Sequence, residues 1–578
     1  MSPAAPTALT ISISQVLDLL DGNFASMAAG IGKKGYALWL GSGISRERVD
    51  DLNRVALRVL THLRDRIDPT NPDCPWRRAL DEAIDLARLS PTDRIGIDYD
   101  RPIHEWPTLE TVLSNLSRVY ARLLDIRIAG QPEEDYLLWQ AVDVVITFSA
   151  THAVPDCEHL CIAMLVLEGV LPEIASANWD GLIEAAVNEL TKSSGTALTV
   201  CVRGEDFREA PLLSRLLKFH GCAVLAGREP GVFRELLIAR HSQITDWPHN
   251  PAFAVMKHEL ETLAATKPTL MIGLSAQDSN IQGLFAAARH LMAWTWPCVP
   301  PAHVFAEEAL GDDQRNILRV VYREWYTTHV AEIEASALFR AFAKPALTGL
   351  VLHILFSKLE AFARVVDAPQ LSTSDRNTMA TGLVRLRGRL ASSADPLDRL
   401  VFVRQLLESF NRGFSLFQNG SLPPGGSMTY SALSTSPVHM IPSDPTLPTS
   451  GVREMASALT LLGLGDADGV WTVRQSDMAD PRAGALRVTT GLGDTRVFFA
   501  GTSSAAVRLE VNAFLSQHDN DAIVIHSASP VATMARSPSS PVGRTGRIGL
   551  RNIAMSELLN EAAGVDELRR RFREEAAL

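Results

Sequence analysis

The chain has 578 residues, 46% hydrophobic and 21% charged, with a formal net charge of −11. This globular composition excludes wholesale disorder. The acidic balance excludes coating of nucleic acid by bulk charge, so any such contact would need a local basic patch. At roughly 150 residues per domain, the length predicts about three to four domains. The six cysteines, Cys74, Cys157, Cys161, Cys201, Cys222 and Cys298, include no C-x-x-C pair. That argues against a disulfide framework and a four-cysteine zinc module, so no metal site is expected. The N-terminal MSPAAPTALTISISQ has no basic n-region and no long apolar h-region. The longest apolar stretches, Leu160–Leu167 and Ala346–Phe356, fall short of the ~20 residues of a bilayer span. The expectation is a cytoplasmic protein without a membrane segment.

In chain order, Tyr36–Leu40 predicts a short strand ending at Gly41-Ser42-Gly43, followed by a helical pattern from Arg46 to about Arg66. Val142–Phe148 (VDVVITF) predicts a buried strand from its β-branched content. Asp156–Glu168 and Asp180–Leu190 predict helices around a strand end at Ile174–Ala177. Leu198–Val202, Leu216–His220 and Leu270–Leu274 predict strands, Ile281–Trp294 a helix, and Val304–Ala306 the closing strand. Strands alternating with helices predict a mostly parallel sheet covered on both faces, a Rossmann-like α/β domain over residues 1–310. Ile317–Glu334, Ala335–Asp367 and Ser374–Asn411 predict a helical domain over 311–418. Residues 419–452, with Pro423-Pro424-Gly425-Gly426 and many Ser and Thr, read as a linker or long loop. Residues 453–578 predict a small α/β domain with strands at Val470–Val473, Leu486–Thr489, Arg496–Ala500 and Ala522–His526, and helices at Ser504–Leu515 and Met555–Ala577.

Four short segments carry chemistry. Gly41-Ser42-Gly43-Ile44-Ser45, after a strand and before a helical pattern, can aim backbone amides at a phosphate or can be an ordinary strand–helix turn. Asn178-Trp179-Asp180 sits at a strand end before an apolar helix. Capping explains one of its polar residues but not readily both. His220-Gly221 closes an apolar run, as a structural histidine or as a proton-transfer group near neutrality. Gly273-Leu274-Ser275 with Asp278 and Asn280 repeats the strand–turn–helix arrangement, serving either ribose contact or helix capping.

Together, in this order, the four segments resemble the sirtuin family over about residues 15–310. Gly41–Ser45 is similar to its Gly-Ala-Gly-Ile-Ser NAD loop, Ser176–Asp180 to its Thr-Gln-Asn-Ile-Asp element, His220-Gly221 to its His-Gly, and Gly273–Ser275 with Asp278 and Asn280 to its late Gly-x-Ser stretch. Two features depart from the protein-deacylating members. Only Cys222 lies between His220 and Gly273, where those members carry two C-x-x-C zinc pairs, and Arg46–Asp50 replaces their Pro-x-Phe-Arg. The pattern is similar to the bacterial antiphage-defence branch: Thoeris effectors, defence-associated sirtuins, and sirtuin-like partners of short Argonautes or HerA-type ATPases.

The resemblance implies hydrolysis of NAD+, as substrate, to nicotinamide and ADP-ribose, without zinc. Asn178 and Asp180 would bind the ribose or the attacking water, and His220 would act as general base. Gly41, Ser42, Gly43, Ile44, Ser45, Gly273, Ser275, Asp278 and Asn280 would bind the dinucleotide. It also implies a homo-oligomer or a complex with an Argonaute, a HerA-type ATPase or a phage-derived activator. The alternatives are an NAD-dependent protein deacylase and a non-catalytic NAD- or ADP-ribose-binding sensor or assembly subunit. In the C-terminal half, Thr502-Ser503-Ser504 reads as a helix cap more than a nucleotide turn. Ser537–Arg551, with Arg544, Arg547 and Arg551, reads as a solvated loop or a phosphate- or nucleic-acid-binding loop. Residues 311–578 are expected to sense the trigger or mediate assembly.

Overall fold

A computed structural model describes residues 6–149, 154–192, 197–424, 429–528 and 549–578. Its first sheet has seven parallel strands: β1 (Ala37–Leu40), β2 (Glu173–Ser176), β3 (Leu198–Cys201), β4 (Ser214–Lys218), β5 (Thr269–Ile272), β6 (His303–Ala306) and β7 (Leu338–Phe339), in the order β3-β4-β2-β1-β5-β6-β7. Every residue of β1, β5 and β6 is buried, as expected of strands covered on both faces. The register places Leu40 opposite Ser176 on one side and Ile272 on the other. The chain therefore leaves β1, β2 and β5 at one level. Connections diverge on either side of β1, and a crevice beyond the carboxyl ends of such strands is where open α/β sheets bind ligands.

Several expectations change. Val142–Phe148 is not a strand. Val144–Phe148 forms a short helix, with Asp143 in a left-handed conformation (φ 51°) accepting from the Ile146 amide through its side chain at 3.5 Å. Cap and tertiary packing override the β preference of Val, Ile and Thr. The first glycine turn does not lead straight into a helix. Ser42–Ile44 makes one 3-10 turn, and the helix begins at Leu52, capped by Asp51, whose carboxylate accepts from the Arg54 amide at 2.9 Å. Ile317–Glu334 is broken into Asp312–Tyr322, Glu324–Thr328 and Val330–Ala337, with Arg323 at φ 49° at the first break.

The first sheet runs past residue 310, because β7 pairs in parallel with β6. The 22-residue helix Ala343–Arg364 lies against the same body. It is the one helix among the described residues long and apolar enough to cross a membrane, but most of it is buried inside the protein. It carries Lys358, fully buried and ion-paired with Glu168 at 2.7 Å. The Tyr430 hydroxyl and the Leu433 amide donate to the other Glu168 oxygen at 2.6 and 2.9 Å. The segment read as a linker is thus packed rather than extended: Tyr430, Leu433, Ile441 and Leu447 are buried in the same core.

The second sheet comprises β8 (Thr472–Gln475), β9 (Leu486–Thr490), β10 (Gly493–Ala500), β11 (Ala522–His526) and β12 (Arg551–Ala554), in the order β12-β11-β10-β9-β8. β8 to β10 are antiparallel and β10 to β12 parallel. Thr502 caps the helix Ser503–Val511, accepting from the Ala505 amide at 3.1 Å. Arg544 and Arg547 lie outside the described residues, and Arg551 starts β12.

Candidate active site

The turns after β1 and β5 are interlocked. The Gly41 amide donates to Ile272 O at 3.2 Å and the Gly43 amide to Gly273 O at 3.0 Å. A Cβ on Gly43 would stand 2.6 Å from the Gly273 Cα, and Gly273 itself has φ +63°. Two backbones approach this closely only where both lack side chains. The glycines that resemble a phosphate loop therefore also have a packing role that would demand glycine without any ligand.

Beyond this junction, Gly41, Ser42, Asn178, Asp180, His220, Gly273, Ser275 and Asp278 line one cleft. Four segments far apart in the sequence are brought together by the strand register. Gly43, Ile44, Ser45 and Asn280 are not on the cleft wall. Ser45 and Asn280 act from behind it.

Asn178 is 6% exposed. Its Nδ2 donates to Ser45 Oγ at 3.4 Å, while its Oδ1 has no partner among the described residues. Ser45 Oγ is also 3.1 Å from His159 Nε2, and His159 Nδ1 accepts from the Asp156 amide at 3.1 Å. That leaves the His159 proton on Nε2, donated to Ser45. Asp156 pairs with Arg48 at 2.9 Å and Lys344 at 3.3 Å. Burial opposes the Asp156 charge, but the Arg48 hydrogen bond, the Cys157 amide and the charges of Lys344 and Arg48 together outweigh it and hold the carboxyl below its ordinary pKa.

His220 is fully enclosed. Burial lowers its pKa, partly offset by Asp278 and Asn280, so the ring is neutral near pH 7. Asn280 Nδ2 donates to His220 Nε2 at 2.9 Å, and Asn280 Oδ1 accepts from the Ile281 amide at 2.9 Å. With Nε2 accepting, the neutral ring carries its proton on Nδ1 and is a donor there. Asn280, expected as a dinucleotide ligand, instead sets the tautomer of His220.

Asp180 accepts from the Leu182 amide at 3.1 Å through Oδ1, and among the described residues its Oδ2 makes no hydrogen bond. Beneath it, the fully buried Lys218 donates to the Asp180 backbone oxygen, to Glu184 at 3.0 Å and to the Cys222 sulfur at 3.3 Å. Burial works against this ammonium, but Cys222, Glu184 and Asp180 together hold its pKa above the usual lysine value.

Other parts of the wall have no counterpart in the sequence motifs. The Tyr120 hydroxyl donates to the Asp278 carboxylate at 3.2 Å, Phe148 packs edge-on against Trp179 at 5.2 Å, and Asp50 pairs with Arg58. Ala276 is held at φ 59°, a left-handed strain of order 1–3 kcal/mol that such positions bear at functional sites. The lining holds three carboxylates, Asp50, Asp180 and Asp278, and no lysine or arginine. Such a wall favours a cationic group.

The paired cysteines of a zinc ribbon are not present in this chain, and the thiol of Cys222 faces the Lys218 ammonium. These residues do not fit a zinc ion. Among the described residues, no cluster of three or more His, Cys, Asp or Glu is placed to hold a metal.

A parallel sheet with glycine turns after two central strands, and a cleft at their carboxyl ends, defines a Rossmann-like α/β domain. A family model described as a SIR2-like domain matches residues 172–319, about a quarter of the chain. It spans Asn178, Asp180, His220 and the Gly273–Asn280 segment, while the Gly41 turn lies before it. No curated protein matches the chain. The SIR2-like domain supports an NAD-related function in general.

Proposed function

We propose that the chain is an NAD+ glycohydrolase that releases nicotinamide and ADP-ribose. One observation carries this reading: the buried, unpartnered Asn178 Oδ1 on the wall shared with Asp180 and His220. A buried acceptor without a partner costs about 1–3 kcal/mol, a cost that a ribose hydroxyl bound at Oδ1 would offset. Nicotinamide leaves with the electron pair of the C1′–N bond as a neutral molecule, so no acid is required. The developing positive charge on the ribose faces the carboxylates of the wall. Water adds its oxygen to C1′, and its proton passes to Asp180 Oδ2. That role moves from His220 to Asp180 because His220 Nε2 is occupied by Asn280. His220 instead donates from Nδ1 to a ribose oxygen.

The resemblance to antiphage-defence effectors supports a cytoplasmic role in depleting NAD+ when triggered. Residues 311–578 then serve sensing or assembly, as a homo-oligomer or with a defence partner. Incubation with NAD+ and an acylated peptide, followed by product analysis, tests the reading. Nicotinamide and ADP-ribose formed without peptide are expected. O-acyl-ADP-ribose would point to a deacylase. No turnover with candidate activators present would point to a binding module.

A further inference from the structure

Beside the cleft lies a second depression that shares Tyr120, Gln277 and Asp278 with it. Its character is opposite. Arg88, Arg118 and Arg122 line it together with His241, and Asp278 is its one carboxylate. Arg88 follows the helix Pro75–Leu86, Arg118 closes the helix Leu109–Ser117, and Arg122 lies in the helix Tyr120–Leu124. Three short elements thus converge their cations on one groove. All three arginines are exposed, and among the described residues none of their guanidinium groups has a hydrogen-bond or ion-pair partner. The Asp278 charge between the two depressions is engaged by the Tyr120 hydroxyl. Unpaired arginines gathered in a concavity of a chain with net charge −11 make a local positive field. Their planar forks suit phosphate oxygens.

The first cleft cannot supply this charge. Its lining has no lysine or arginine. We propose that Arg88, Arg118 and Arg122 form an anion site for the phosphates of a nucleotide, opening onto the candidate active site across the Tyr120–Asp278 wall. The phosphates belong either to the dinucleotide in the cleft or to a separate nucleotide beside it. The proposal deepens the NAD+ reading and rests on it only for this choice of source.

The test is calorimetric titration of the full chain with inorganic pyrophosphate at low ionic strength, comparing wild type with Arg88→Ala/Arg118→Ala/Arg122→Ala. The triple variant is expected to bind at least about tenfold more weakly, and wild-type binding to weaken with added salt. A triple lysine variant, which keeps the charge, should retain most of the binding. Unchanged melting temperatures would show that the fold is intact. Equal affinity in wild type and the alanine variant, or no binding to wild type, overturns the site.

A parallel titration with ADP-ribose separates the sources. If pyrophosphate and ADP-ribose compete, and the alanine variant weakens both, the groove holds the substrate's own diphosphate. If they bind together, it holds a second nucleotide. Pyrophosphate binding that depends on the arginines in a protein that never releases nicotinamide from NAD+ would keep the anion site and reject the glycohydrolase.

Discussion

Asn178→Ala is the most informative single change. Its structural cost is small by construction. The Asn178–Ser45 bond is long, 3.4 Å, and Ser45 Oγ keeps its 3.1 Å contact with His159 Nε2, so no buried donor is orphaned. One side-chain hydrogen bond of this kind contributes about 0.5–1.5 kcal/mol. The substitution also removes the unpartnered Oδ1, so part of that loss is recovered. A net destabilisation of about 1 kcal/mol or less follows, equivalent to a few degrees at most in a chain of this size. The catalytic cost is larger. Loss of one preorganised polar contact to a charge-developing centre typically lowers turnover by about 10²–10³. The assay is nicotinamide release by chromatography, under conditions where the wild type turns over, alongside a melting curve. Turnover within about threefold of wild type, with the melting temperature preserved, would refute the assignment of Oδ1 to the ribose. A large fall in melting temperature would instead refute the claim that Ser45 and His159 hold the wall without Asn178.

Three further outcomes are expected. Gly43→Ala places its Cβ against the Gly273 backbone, where no side chain can move aside, and should destabilise by about 1–3 kcal/mol in thermal or denaturant unfolding. Lys358→Met leaves Glu168 buried beside an uncharged neighbour and should cost about 3–5 kcal/mol, with Lys358→Met/Glu168→Gln, which keeps the acceptor for Tyr430 and Leu433, recovering part of it; an unaltered single variant would refute a stabilising role for the pair. Burial pushes the Glu158 carboxyl up to about 8. Between its unfolded value and about pH 8 the folded chain therefore holds a proton that the unfolded chain has released. Stability from this group falls as pH rises through that window, so Glu158→Gln should flatten the loss of melting temperature between about pH 5 and 8.

Much of the architecture was legible from local pattern. Six of the seven strands of the first sheet and the order of the four motifs follow from apolar runs punctuated by glycine, whereas β7 falls within Ala335–Asp367, read as helical. Val142–Phe148 was misread because β-branched composition carries no information about a left-handed cap at Asp143. That residues 419–452, read as a linker or long loop, pack into the core was not legible for a related reason. Proline, glycine and serine report low local propensity, but the burial of Tyr430 and Leu433 depends on Glu168 and Lys358, which are distant in sequence.

At the site, the sequence by itself determined the residue types and their order: two glycine turns, an Asn–Asp pair, a histidine and a late polar turn. Only the tertiary structure decided their hydrogen-bond partners, because those partners lie across long separations in the chain. His159 reaches Ser45 over 114 residues, Asn280 reaches His220 over 60, and Tyr120 reaches Asp278 over 158. The hydrogen bond from Asn280 occupies His220 Nε2 and leaves the ring proton on Nδ1, the turns after the strands put three carboxylates on one wall, and the ends of three helices bring three arginines to the groove beside it. Composition sets which charges are available; packing sets which of them meet.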